Sequence, residues 1–260
     1  MRPATPRGAD CLSRLIVVRL APMDLTSYRA WLFDLDGVIT PTAEVHMLAW
    51  SEMFNSFLDG QWAAGRYTDD DYYSYVDGKP RYDGVRDFLA SRDITLPEGE
   101  PEDDPQQETV CGLGNRKNSA FNDILERDGV TAYPGSVALL DQLRDLGVAV
   151  AIVSSSRNAP QVLRAAGLAD RFEVVIDGNV ASEQGLLGKP APDTYAFAAD
   201  RLGVDHERSV VIEDAISGVA AGAAGTFGLV VGVDRGVGEP ALTRAGADVV
   251  VSDLAELMNP

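Results

Sequence analysis

Short apolar runs rich in valine and isoleucine recur along the chain and indicate buried strands. Continuous runs of this length are typical of strands that are covered on both faces of a sheet. One run, at 30–33, lies far upstream of the others. The remaining runs all follow residue 130, at 148–153, 172–176, 209–212, 227–233 and 247–251.

Helical spacing of apolar residues fills the gaps between the later runs. In 136–146 and in 193–202, apolar residues recur every three or four positions, so each stretch presents one apolar face. Strand and helix therefore alternate along this part of the chain, as they do in α/β proteins. The pattern predicts an α/β fold with a Rossmann-like parallel sheet core.

A block at 42–131 separates the upstream run from the others and holds most of the aromatic residues. We interpret it as an inserted, mainly helical cap domain. The core is then formed by 23–41 together with 132–260. Inside the block, 97–108 combines acidic residues with prolines, a composition that does not bury a core, so we expect a mobile acidic loop there.

Composition narrows the classes of partner. The 260 residues are 45% hydrophobic, enough for a sizeable core, but 40 acidic against 22 basic residues give a net charge of -18. Such a charge repels nucleic acid and anionic membrane surfaces. No apolar run approaches the roughly 20 residues that a membrane-spanning helix needs. We expect a monomeric, cytoplasmic protein with no nucleic-acid or membrane partner.

The first 22 residues differ from the rest because they are rich in arginine, proline and alanine. They carry no apolar segment long enough for a signal peptide, so we expect a disordered extension and take Met23 as a hypothesis for the natural start. The two cysteines, Cys11 and Cys111, fit no metal or redox spacing. They indicate a reducing compartment without disulfides.

Two aspartates follow the strand predicted at 30–33. Asp34 and Asp36 lie two positions apart and should face the crevice at the carboxyl end of the sheet, where open α/β sheets bind ligands. An ionised aspartate can attack phosphorus without the help of a base. A neighbour that a cation does not neutralise could have a raised pKa and act as acid and base. Taken alone, the pair also fits a solvated turn.

Two further loops carry groups suited to an anion. The run at 148–153 ends in three serines, Ser154 to Ser156, just before a helical pattern, where hydroxyls and free backbone N–H groups bind anions or simply cap the helix. Lys189 lies in a proline-rich loop that restricts its backbone. Its ammonium could neutralise a phosphoryl oxygen, or it could be a solvated lysine in a turn.

A second acidic pair, Glu213 and Asp214, follows the run at 209–212. Hard oxygen ligands at two strand ends favour Mg²⁺ over zinc, since zinc prefers His or Cys and the only histidines are His46 and His206. Each of these motifs is weak by itself. Four of them in this order, each at the end of a predicted parallel strand, indicate phosphoryl transfer.

These four motifs resemble those of the haloacid dehalogenase superfamily, and within it the β-phosphoglucomutase-like family. The resemblance implies that Asp34 is the nucleophile that becomes an aspartyl phosphate and that Asp36 is the general acid and base. It implies that Ser154 and Lys189 hold the transferring phosphoryl group, with a possible cis peptide after Lys189. Mg²⁺ would be bound by Asp34, the backbone carbonyl of Asp36, and Asp214, with Glu213 in or beside the shell.

The cap also resembles that family, in the segments 42–50, 77–81 and 116–118. Arginine at 157 instead of the usual lysine, and Pro41 in place of an aspartate, are departures from it. For the charged cap residues, ordinary surface charge is the alternative. The implied substrate-binding residues are Thr42, His46, Trp50, Gly78, Arg81, Lys117, Ser155, Ser156, Arg157 and Asn158.

The resemblance implies an enzyme that interconverts β-D-glucose 1-phosphate and glucose 6-phosphate through an aspartyl phosphate and a bisphosphate intermediate. Its partner is then a small sugar phosphate and its cofactor Mg²⁺. A phosphatase of the same superfamily, which admits water to the aspartyl phosphate, uses the same core motifs. A non-catalytic, cation-binding partner protein is a second alternative, from another functional class.

Overall fold

Six parallel strands form a single sheet in the order β3-β2-β1-β4-β5-β6. The computed structural model describes residues 24–59 and 65–258. The predicted extension at 1–22, the hypothesis on Met23 and the prediction for Cys11 concern residues outside these ranges. The strands are β1 Ala30–Phe33, β2 Ala149–Val153, β3 Val174–Ile176, β4 Ser209–Glu213, β5 Leu229–Val233 and β6 Val249–Val251.

Ten α-helices occur in the described part of the chain. The cap region contains the first four, and a π-helical turn, Tyr72–Val76, follows the second. The helices are α1 Thr42–Leu58, α2 Asp69–Asp71, α3 Arg81–Ser91, α4 Val110–Asp128, α5 Pro134–Asp145, α6 Ala159–Ala165, α7 Gly178–Gln184, α8 Asp193–Leu202, α9 Ile216–Ala224 and α10 Glu239–Ala245.

All six predicted strands and both predicted core helices form, which confirms the α/β fold with a parallel sheet. Strand β1 has the predicted bounds, because both of its edges pair with neighbours, Ala30 with Ala149 and with Ser209. The edge strand β3 begins later than predicted, at Val174, because its pairing with β2 begins only there. Helix α5 begins at Pro134, since proline suits the first helical turn.

The sheet is buried on both faces, and the side chains of successive β1 residues point to opposite faces. Trp31 and Phe33 belong to a large apolar cluster that includes Leu139 and Leu143 of α5. Ala30 and Leu32 face the other side, in a cluster with residues of α8. This alternation explains why the strand sequences read as continuous apolar runs.

The cap region has an apolar cluster of its own, centred on stacked aromatic rings such as Phe54 and Phe88. The chain enters and leaves this region at adjacent points, since the Tyr133 N–H donates to the Ile39 carbonyl at 2.9 Å. Phe121 of α4 packs into the core's cluster rather than the cap's. The domain boundaries at 41/42 and 131/132 stay a prediction.

The acidic segment 97–108 contains no helix or strand, as predicted, but it is held in place by hydrogen bonds. Asn115 of α4 donates to the Pro101 and Asp103 carbonyls, and Arg86 of α3 pairs with Glu98. These bonds contradict the expected mobile loop, because side chains of two helices anchor it along its length. Within residues 24–59 and 65–258, no helix is long and apolar enough to cross a membrane.

Candidate active site

Three charged side chains meet at the carboxyl ends of β1 and β4. The Lys189 ammonium donates to Asp34 Oδ1 at 2.5 Å and to Glu213 Oε1 at 2.6 Å, and also to the Val153 carbonyl at 3.1 Å. Lys189 is 3% exposed, and its two carboxylate partners are buried beside it. Because these groups are buried, the attraction between the ammonium and each carboxylate is stronger than it would be in water. Because β1 and β4 are neighbours in register, Asp34 and Glu213 are brought to one edge of the sheet.

Asp214 adds a further carboxylate to this edge. Oxygens of Asp34, Glu213 and Asp214 lie within 4.8 Å of one another. Burial and the neighbouring carboxylates raise the pKa of Asp214 well above its usual range. Gly37, at φ +84°, leaves room for it, since a Cβ there would overlap the Asp214 carboxylate.

A hard divalent cation fits this group of residues. Burial raises the pKa of Asp34 well above its usual range, although the Lys189 ammonium acts in the opposite direction. One buried ammonium therefore does not balance the carboxylates gathered here, and oxygen ligands are those that Mg²⁺ prefers. A cation would keep Asp34 ionised, the form in which it is a nucleophile.

Asp36 turns away from these acids and toward the cap. Its Oδ1 accepts a short hydrogen bond from the Thr42 hydroxyl and lies 3.4 Å from His46 Nε2, and its Oδ2 accepts from Ser154 Oγ at 3.4 Å. Burial acts to raise the pKa of Asp36, but His46 and Thr42 outweigh it and lower the pKa to about 2. The prediction of a raised pKa for the neighbour of the nucleophile, Asp36, is therefore wrong, because Thr42 and His46 stabilise the Asp36 carboxylate.

Thr42 does not line the cavity, contrary to the expectation that it contacts substrate. It is fully buried, and its hydroxyl lies between Asp36 and Thr40. At the first residue of α1, this hydroxyl ties the cap's first helix to the Asp36 side chain. Lys189 does not line the cavity either. It lies behind Asp34 and Glu213, which do line it and which accept its hydrogen bonds.

The three serines after β2 form hydrogen bonds with different groups. Ser154 Oγ accepts the Ser156 N–H at 3.1 Å as it donates to Asp36, and Ser156 Oγ accepts the Asn158 N–H at 3.1 Å. Ser155 donates instead across the cavity, to the Gly78 carbonyl of the cap at 2.8 Å. The first loop residue thus faces the acids and the second contacts the cap.

A second group of polar side chains lies where α3, α4 and the loop before α6 meet. Asn118 Oδ1 accepts from an Arg81 guanidinium nitrogen and from Asn158 Nδ2, each at 2.7 Å. The guanidinium carbons of Arg81 and Arg157 lie 5.9 and 5.6 Å from the centre of the Tyr82 ring. Burial, with a contribution from Arg157, lowers the pKa of Arg81. We call Arg81, Asn118, Ser156, Arg157 and Asn158 the distal cluster.

Lys117 is buried beside His46 in the cap. Its ammonium contacts His46 Nδ1 and lies 5.1 Å from the ring centres of both Trp50 and Phe121. Burial lowers its pKa well below the usual lysine range, and the nearby Arg81 adds to this. A chain of contacts therefore runs from Asp36 through His46 to Lys117.

Several residues near the site were not predicted from sequence. Asp77 lines the cavity, and burial beside other carboxylates raises its pKa to about 7. Ser217 donates to the Asp77 carbonyl at 3.0 Å, and Tyr195 donates to Glu213 Oε1 at 3.1 Å. Asp77 lies in the cap segment 77–81, whose resemblance to the family is a signal that could have identified it. Tyr195 could not, because its spacing marks only a core helix.

One cavity of about 350 Å³ joins these groups. It lies between the strand ends and the cap, and both acidic pairs and the distal cluster apart from Asn118 contribute to its wall. The predicted site residues that line it are Asp34, Asp36, His46, Trp50, Gly78, Arg81, Lys117, Ser154, Ser155, Ser156, Arg157, Asn158, Glu213 and Asp214.

Known proteins are similar to this chain in sequence and in fold. Residues 28–226 match the haloacid dehalogenase-like hydrolase family. The β-phosphoglucomutase of Mycobacterium bovis is 48% identical over 241 residues, covering 88% of this chain and 91% of that protein. Hexitol phosphatase A of Escherichia coli is 31% identical, covering 88% and 93%. The crystal structure of a β-phosphoglucomutase from Clostridium difficile has a TM-score of 0.70 at 24% identity, covering 88% and 93%.

Proposed function

Because this chain belongs to the haloacid dehalogenase-like hydrolase family, in its β-phosphoglucomutase-like branch, we propose that it interconverts β-D-glucose 1-phosphate and glucose 6-phosphate. One observation carries the proposal. The cavity has a carboxylate beside a buried lysine at one end and a pair of arginines at the other. A single sugar with a phosphate at each end suits such a cavity.

The Asp34 carboxylate attacks phosphorus in the proposed reaction. An aspartyl phosphate forms as the bond from phosphorus to the sugar oxygen breaks, and the reverse step returns the phosphoryl group to the other hydroxyl. Uncatalysed cleavage of phosphate esters is very slow, so alignment and neutralisation of charge supply most of the acceleration. Lys189 donates to Asp34, Glu213 and the Val153 carbonyl, so its positive charge stabilises the phosphoryl group from behind Asp34, and Ser154 donates to a phosphoryl oxygen.

Asp36 handles the proton of the sugar hydroxyl. With its pKa lowered to about 2, Asp36 is ionised before the reaction and first acts as a base. It accepts the proton when the hydroxyl attacks the aspartyl phosphate, and returns it to the leaving oxygen in the opposite half of the cycle. Thr42 and His46 orient the carboxylate for this transfer.

Mg²⁺ would be held by Asp34, Asp214 and the backbone carbonyl of Asp36. Both Glu213 oxygens already accept two hydrogen bonds each, from Lys189 and Tyr195 and from the Asp214 and Ala215 N–H groups. We therefore place Glu213 beside the ligands rather than among them. When bound, the cation supplies positive charge to the phosphoryl oxygens and to the nucleophile.

The distal cluster binds the phosphate that is not being transferred. Arg81, Arg157, Ser156 and Asn158 line the cavity and offer donors to a second phosphate. A mutase must turn its bisphosphate intermediate end for end, so it needs such a second subsite. The cap loop that carries Gly78 contacts the core through Ser155, and closure of this loop over the cavity would exclude water and favour transfer to a sugar over hydrolysis.

A sugar-phosphate phosphatase is the second candidate, since hexitol phosphatase A is also a relative. Product analysis separates the two. Purified protein is incubated with Mg²⁺, β-glucose 1-phosphate and a trace of glucose 1,6-bisphosphate. The mutase yields glucose 6-phosphate as the main product. Inorganic phosphate without glucose 6-phosphate would identify the phosphatase instead.

A further inference from the structure

Asn118 occupies an unusual position between the cap and the core. Its carbonyl oxygen accepts one hydrogen bond from Arg81, at the start of cap helix α3, and one from Asn158, in the core loop before α6, both at 2.7 Å. Asn118 itself lies in α4. A single amide oxygen therefore joins three elements that come from distant parts of the sequence.

Within the described residues, Asn118 accepts the shortest side-chain hydrogen bond of each of these two donors, Arg81 and Asn158. Asn158 precedes α6 directly, yet its side chain makes no helix-capping hydrogen bond. Arg81 makes no ion pair within the described residues, and its second contact, to Asn115, is long at 3.5 Å. The side chains of Arg81 and Asn158 are thus oriented mainly by Asn118.

The positive charge of two arginines in this region favours binding of an anion. Arg81 and Arg157 flank the same Tyr82 ring, and their mutual repulsion contributes to the lowered pKa of Arg81. Asn118 is neutral, so it orients Arg81 without cancelling its charge. An aspartate at this position would orient Arg81 equally well but would neutralise it.

We propose that Asn118 is a positioning residue, which holds Arg81 of the cap and Asn158 of the core at a common spacing for the distal phosphate group. This inference rests on the proposed function, because it assigns an anion to the distal cluster. It has two consequences. The distal subsite is complete only when the cap contacts the core, and it requires a neutral acceptor at position 118.

The test compares Asn118→Asp, Asn118→Ala and the matched control Ser119→Ala, an exposed neighbour on the same helix. Two substrates separate the effects. Glucose 1,6-bisphosphate uses both ends of the cavity, whereas acetyl phosphate, with a single small phosphate, only phosphorylates Asp34. Circular dichroism and thermal unfolding establish that each variant is folded.

For Asn118→Ala and Asn118→Asp, we expect the KM for glucose 1,6-bisphosphate to rise about tenfold, the loss expected for one charge-assisted hydrogen bond. The Asp variant should be at least as impaired as the Ala variant. Acetyl phosphate turnover should stay within about twofold of wild type, as should both activities of Ser119→Ala. A merely structural acceptor role predicts instead that Asn118→Asp behaves like wild type, and that result overturns the proposal.

Equal losses with both substrates would also overturn it, since they would indicate a general disturbance of the fold. Failure of the proposed function is recognised separately. If the wild-type protein hydrolyses acetyl phosphate but does not isomerise glucose 1-phosphate, the mutase assignment fails. The role of Asn118 is then judged by calorimetry alone, as the Kd of glucose 1,6-bisphosphate with and without Asn118→Asp in an Asp34→Asn background. An unchanged Kd contradicts it.

Discussion

The two ends of the cavity are built in opposite ways. At the strand ends, the acids Asp34, Glu213 and Asp214 surround one buried lysine, so negative charge is in excess. In the distal cluster, two arginines meet neutral amides, so positive charge is in excess. The charge at the first end therefore favours binding of a cation, and the charge at the second end favours binding of an anion. Together the two ends suit a metal-assisted site for a molecule with two phosphates.

The two ends also differ in what holds them. Lys189 donates its hydrogen bonds entirely to the core, to Asp34 after β1, to the Val153 carbonyl of β2 and to Glu213 of β4. The distal cluster joins two cap helices to one core loop. Chemistry at the first end is fixed by the sheet, whereas binding at the second depends on how the cap lies on the core.

The largest expected effect is at the nucleophile. Asp34→Asn keeps the size of the side chain but removes the charge that attacks phosphorus, so turnover of every phosphate substrate should fall by about 10⁴-fold or more. Steady-state assays with β-glucose 1-phosphate and with acetyl phosphate measure this. Asp170→Asn, on the exposed surface, is the matched control and should retain full activity. Near-normal turnover of Asp34→Asn would show that another residue accepts the phosphoryl group.

Lys189→Met should lower both activity and stability. The loss of a buried cation that stabilises the transition state costs about 10²–10³-fold in kcat. The same change leaves Asp34 and Glu213 buried without their partner, which costs about 3–5 kcal/mol in the free energy of unfolding. Urea denaturation measures the second effect. If the free energy of unfolding were unchanged, the contacts of Lys189 with the two acids would not exist in solution.

These two residues also show what sequence could predict. Asp34, Glu213 and Asp214 lie at the ends of β1 and β4, and the apolar runs predict both the strands and the parallel sheet that brings their ends to one edge. The positions of these three acids therefore follow from local patterns plus the fold. Lys189 lies in the loop after α7, and its proline-rich surroundings were the only local signal for it.

The distal cluster could not be predicted in the same way. The cap segments were identified only by resemblance, and nothing local in the sequence says that Asn118 faces Asn158, 40 positions away. The buried Thr42 is a similar case, since its contact with Asp36 depends on how α1 leaves the sheet. Contacts between the cap and the core depend on tertiary packing, which apolar periodicity does not encode.

Metal binding should stabilise the folded protein measurably. Mg²⁺ neutralises the acids at the strand ends, so at about 100 times its Kd it should add roughly 2.7 kcal/mol to the free energy of unfolding. Thermal unfolding with and without Mg²⁺ measures the effect, independently of activity. In Asp214→Asn the stabilisation should be much smaller. Equal stabilisation of this variant and the wild type would place the cation elsewhere.

Arg81→Gln should produce a change of similar free energy, and a selective one. We expect kcat/KM for β-glucose 1-phosphate to fall by about 10²-fold, because one charged contact to the distal phosphate is lost. Acetyl phosphate turnover should change by less than about twofold, since that substrate does not reach the distal cluster. The control is Arg144→Gln, whose guanidinium is exposed and pairs with the surface residues Asp141 and Asp145. A matching loss with acetyl phosphate would contradict the separation of the two ends.

The central claim is that Asp34 carries the phosphoryl group during each cycle. It is tested by treating the protein with acetyl phosphate and Mg²⁺, reducing the acyl phosphate with borohydride, and mapping the modified peptide by mass spectrometry. We predict homoserine at position 34 and at no other aspartate. Conversion of a different residue, or no conversion in a protein that is turning over substrate, would contradict the account.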